Sequence, residues 1–71
     1  MNTLESKLRI AHQIQVAAAN KGLTCNIDCT VISGNLYPSI WVHTDVIVEH
    51  LELYGDATEQ ELLDWWEEIA K

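Results

Sequence analysis

Asp45-Val-Ile-Val-Glu-His-Leu-Glu-Leu-Tyr-Gly55 reads two ways, and the choice decides whether the chain builds a two-stranded or a three-stranded sheet. As a helix it has Thr44 as N-cap, Asp45 at the positive end of the dipole, Ile47, Leu51 and Tyr54 on one line, and Gly55 as terminator. As a strand it offers the β-branched run Val46-Ile47-Val48, but alternation then sets Glu49 among Ile47, Leu51 and Leu53. That misplaced carboxylate favours the helix, with the strand kept as the alternative.

Upstream, Leu23-Thr-Cys-Asn-Ile-Asp-Cys-Thr-Val-Ile-Ser33 alternates with period two, Gly34-Asn35 marks a turn, and Leu36-Tyr-Pro-Ser-Ile-Trp-Val-His43 resumes the alternation, which predicts a β-hairpin. A Gly34-Asn35 loop would pair Ser33 with Leu36, Cys29 with Ile40, Ile27 with Val42 and Cys25 with Thr44 on an apolar face. Ile32, Tyr37, Trp41 and His43 would then share the second face. Pro38 lacks an amide hydrogen, so its strand should present an edge there.

The flanks are helical. Thr3 caps a helix over residues 3–21 with Leu4, Leu8, Ala11, Ile14 and Ala18 on one stripe and Gly22 as the stop. Thr58 and Glu61 form a capping box for the last helix, whose Leu62, Trp66 and Ile69 point inward while Trp65 borders the polar side. The expected fold is α+β, one small domain over residues 1–71.

Charge is lopsided. Residues 1–44 carry Lys7, Arg9 and Lys21 against Glu5 and Asp28, a net +1; residues 45–71 carry Lys71 against nine acids, a net −8. Such a field repels nucleic acid and anionic membrane and attracts basic protein surfaces, so direct nucleic-acid or membrane binding is not expected. Under the strand reading the order would match that of a double-stranded-RNA-binding domain, but the last helix opens with Thr58-Glu-Gln-Glu, where such a domain needs cations. The first residues hold an acid and no long apolar run, so no signal peptide or membrane span is expected, and the compartment expected is cytoplasmic.

Glu61, Asp64 and Glu68 make a stripe with axial steps of about 4.5 and 6 Å at 1.5 Å per residue, a spacing comparable to that of phosphates along a nucleic-acid strand. Glu67 continues it, and Glu49 and Glu52 precede it. With Trp65 at its border, this is the candidate surface for a basic partner; the alternative is a solvated face that keeps a small protein dispersed. Ile32, Tyr37, Trp41 and His43 are the candidate oligomer face, consistent with a homodimer.

Catalysis and cofactors find little support. Cys25 and Cys29 on one strand would lie roughly 13 Å apart, beyond a disulfide and unable to clamp one ion, and the hairpin register sends His43 to the other face. No metal, no cofactor and no enzymatic role are expected, since no nucleophile elbow, phosphate loop or zinc-protease helix is present.

Tyr37-Pro-Ser-Ile-Trp-Val-His-Thr, followed by an acidic segment and the Trp-Trp-Glu-Glu helix, resembles the small accessory proteins encoded by bacteriophages and prophages. The resemblance implies a short non-enzymatic protein that binds and modulates a host or phage machine. Inhibitors of CRISPR complexes, some of them DNA mimics, belong to that group.

Overall fold

The computed structural model describes residues 3–55 and 57–71; Asp56, one of the nine acids of the second half, lies outside them. Helix α1 (Leu4–Asn20), strands β1 (Thr24–Ile32), β2 (Asn35–His43) and β3 (Val48–Glu52), and helix α2 (Glu59–Ala70) follow in that order. The three strands form one antiparallel sheet in the order β1-β2-β3, so the fold is α+β.

Helix α1 begins where the Thr3 hydroxyl accepts from the Ser6 amide at 3.1 Å. It ends in a Schellman closure: Leu23 N–H donates to the Ala18 carbonyl at 2.9 Å and Gly22 N–H to Ala19 at 3.1 Å, with Gly22 at φ 75°. The hairpin turn sits one residue earlier than Gly34-Asn35. Ser33 (φ 51°) and Gly34 (φ 80°) are the two central residues of a primed turn, and Ile32 pairs with Asn35. Ser-Gly places glycine second, as Asn-Gly does, which suits the type I′ geometry.

Every pair is thereby displaced by two residues: Cys29 meets Pro38, Ile27 meets Ile40 and Cys25 meets Val42. A slip of two leaves each side chain on its expected face, because strand side chains alternate with period two.

Residues 48–52 are strand, so the favoured helix over 45–54 is corrected. Thr44 does bond forward, accepting from Ile47 N–H at 3.0 Å, but its own N–H donates to the Ile47 carbonyl at 2.9 Å and the chain reverses there. A helix would have left the second edge of β2 unpaired. The β-branched run instead leads into a strand that satisfies it from Ser39 to His43. Glu49, the residue that argued for the helix, lies opposite Val42 and is half-buried.

Pro38 marks the end of this pairing. Leu53 N–H donates to its carbonyl at 2.9 Å, and proline returns no bond, so β3 stops at Glu52 and the hairpin runs on alone. The molecule measures 36 × 22 × 17 Å, and Val31, Ile32 and Leu36 at the far end of the hairpin are exposed.

Both helices lie on one side of the sheet. Ala11 and Ile14 of α1, Ile40 of β2, Leu53 and Leu62 of α2 form the buried cluster, with Ile27, Leu51, Trp65 and Trp66 packed around it. Lys7 joins the buried stripe of α1 at 3 % exposure, and its ammonium donates to the Ala57 carbonyl at 2.9 Å, tying α1 to the segment entering α2. A long aliphatic stem lets lysine occupy such a position while its charge finds an acceptor.

Candidate functional site

Two surfaces remain once the core is assigned: the outer side of α2 and the side of the sheet that no helix covers. The first is built by the rotation of α2. Thr58 Oγ accepts from Glu61 N–H at 3.1 Å and fixes the first turn. Leu62, with no exposed surface, then fixes which side faces in. Glu61, Asp64, Glu67 and Glu68 consequently lie in solvent.

These carboxylates receive little from the molecule's own cations. Lys71 reaches Glu68 at 3.0 Å, a pair so exposed that its worth is about 0–1 kcal/mol. Arg9 pairs with Glu5 at 3.6 Å on α1, and Lys7 is turned inward to Ala57. Gln60 donates to Asp64 at 2.9 Å, a neutral contact. Among the described residues, Glu61, Asp64 and Glu67 have no ion pair. The last turn of α2 contains no basic residue, although carboxylates there oppose the helix dipole by about 0.3–1 kcal/mol each.

The remaining members of the acidic set divide. Glu49 points to the helix side of β3, whereas Glu52, opposite Ser39, points to the uncovered side. Trp65 and Trp66 are both half-buried against the core, so Trp66 is less enclosed than its place on the inward stripe suggests; with Ile10, Ile14 and Ala17 it lines a shallow groove between the helices.

The second surface gathers Ile32, Tyr37, Trp41 and His43 as the hairpin alternation requires, on the side of the sheet away from α1 and α2. Strand β3 and the residues after it add His50, Glu52 and Tyr54, which the helix reading of 45–54 removed from the sheet. The period-two sequence Val48, His50, Glu52 was the available signal. Trp41 and His50 stack with centroids 4.4 Å apart and planes 16° apart; Tyr37 and Tyr54 meet edge to face at 5.0 Å. Trp41 Nε1 donates to Ser39 Oγ at 3.0 Å. The neighbouring Glu52 carboxylate, with smaller contributions from desolvation and Tyr37, raises the Tyr54 phenol above its ordinary value. The resulting groove encloses about 410 Å³.

Cys25 and Cys29 are free thiols on the helix side of β1, and burial pushes the Cys25 thiol up. His43 is on the other side of the sheet, and among the described residues no three of His, Cys, Asp or Glu converge to hold a metal ion. No helix of the described residues is long and apolar enough to cross a membrane. No family model, no curated protein and no solved structure matches the chain.

Proposed function

We propose that this protein is a non-enzymatic interaction module whose α2 carboxylates, with Trp65 at their border, dock onto a basic protein surface. The observation that carries this reading is the last turn of α2, where exposed Glu67 and Glu68 stand against the helix dipole and, among the described residues, Lys71 pairs with Glu68 alone. Acids placed where they cost helix stability are better explained by something outside the helix than by folding. The rigid spacing of Glu61, Asp64 and Glu68 suits a groove built for a nucleic-acid backbone. The natural partner is therefore a nucleic-acid-handling complex, inhibited by a phage-type accessory protein that mimics DNA.

The test uses a partner captured from bacterial lysate, with and without phage infection, and then purified. Affinity should fall steeply between low and moderate salt, and the combined change Glu61→Lys, Asp64→Lys and Glu68→Lys should abolish binding while leaving the circular dichroism unchanged. Affinity indifferent to both would remove the proposal.

A second reading is a structural homo-oligomer. It is favoured by the nine-residue edge strand β1 and by exposed Val31, Ile32 and Leu36 at the end of the hairpin. Light scattering separates the two: a dimer that persists on dilution and ignores salt supports assembly between copies.

A further inference from the structure

The uncovered sheet side has an arrangement that the acidic helix does not explain. Ser39, small and central, is paired with Asp28 on β1 and with Glu52 on β3, so one row across the sheet reads carboxylate, hydroxyl, carboxylate. With strands about 4.8 Å apart, the two acids stand roughly 10 Å from each other across the serine. Along β2 the neighbours of Ser39 on this side are Tyr37 and Trp41, about 13 Å apart at 3.3 Å per residue. Ser39 thus lies in a groove between Tyr37 and Trp41, with Glu52 lining one side and Asp28 flanking it in register on β1.

The walls are held in place. His50 stacks on one face of the Trp41 indole, and the indole N–H is anchored on Ser39 Oγ. Tyr54 braces Tyr37 edge to face and lines the groove beside Glu52. Asn26 donates to Asp28 at 3.4 Å. Aromatic side chains of this kind lose little freedom on binding, which favours recognition.

We infer that this groove is a binding site for an arginine side chain carried on an exposed segment of a partner protein. π faces attract a cation, and the two carboxylates complete the charge complementarity. A guanidinium satisfies both demands at once: its plane stacks on an aromatic ring while its five N–H donors fork toward carboxylate and hydroxyl oxygens. A lysine ammonium is a strongly hydrated point charge and uses the aromatic walls less well. A second copy of the chain suits the groove poorly, because Asp28 and Glu52 would meet a molecule of net charge −7. The site lies across the sheet from α2, and the inference does not depend on the role proposed for that helix.

The test is a heteronuclear NMR titration of the full chain with a capped Gly-Ser-Arg-Ser-Gly peptide, its citrulline counterpart, which is a neutral isostere, and its lysine counterpart. Saturable shifts of the Trp41 indole N–H and the Ser39 amide are expected with arginine, with affinity about tenfold weaker for citrulline and several-fold weaker for lysine. Glu52→Gln and Asp28→Asn, which leave the packing of Trp41 intact, should each weaken the arginine peptide several-fold. The triple lysine change on α2 should leave the sheet shifts in place, which separates this site from the helix surface. Equal binding of citrulline or of lysine would overturn the assignment. So would shifts confined to α2, or shifts at Trp41 that appear on concentrating the protein alone and show that a second copy fills the groove.

Discussion

Replacing Leu62 and, separately, its neighbour Leu63 with alanine probes the rotation of α2 on which the acidic surface depends. Leu62 is fully buried among Ala11, Ile14, Ile40 and Leu53, whereas Leu63 is 40 % exposed. Leu62→Ala removes three buried carbons, about 2.4 kcal/mol of transfer free energy, and leaves a cavity that raises the cost to about 3–4 kcal/mol. Against a total stability of about 4–11 kcal/mol for a chain of this size, that is a large fraction. Leu63→Ala should cost about 1 kcal/mol, because much of that side chain already meets water. In urea unfolding followed at 222 nm, with a slope of about 1 kcal/mol per molar, the midpoints should fall by about 3 M and 1 M respectively. Successive helix residues point about 100° apart, so equal losses, or a larger loss for Leu63, would mean that α2 is rotated. Glu61, Asp64 and Glu68 would then not face solvent together, and the reasoning about that surface would fail.

Three further outcomes follow from particular contacts. Thr58→Ala removes the cap on α2, so thermal unfolding should drop by about 5 °C, corresponding to about 1 kcal/mol; no change would mean the cap contributes nothing. Ser33→Asn supplies a residue that tolerates positive φ better and should raise stability by a few tenths of a kcal/mol, whereas Ser33→Val should lower it by more than about 1 kcal/mol. Iodoacetamide at pH 8 should label Cys29 before Cys25: a raised thiol pKa means less thiolate at that pH, and Cys25 is also the more covered, so faster labelling of Cys25 would contradict its placement.

The elements with local punctuation were legible in the residues. Thr3, Gly22 and Thr58 stop and start helices through bonds that the backbone needs wherever the element packs, so their positions could be read without knowing the fold. The hairpin faces were legible for a related reason: alternation assigns sides regardless of register, and a two-residue slip left Tyr37, Trp41 and His43 where they were expected. The third strand was not. Thr44 makes the forward bonds of an N-cap while closing a reverse turn, and only the unpaired edge of β2, a tertiary demand, decides between the two. Losing β3 hid His50, Glu52 and Tyr54 from the uncovered side, and with them the walls of the groove. Lys7 was missed because its type suggests solvent, although its place four residues before Ala11 puts it on the buried stripe.

Competition with nucleic acid tests the central claim most directly. If α2 occupies a groove built for a phosphate backbone, short duplex DNA added to the purified complex should displace this protein from its partner in a concentration-dependent way, and the charge-reversed α2 variant should fail to compete with DNA for the same site. A stable ternary assembly of partner, duplex and this protein would contradict the account.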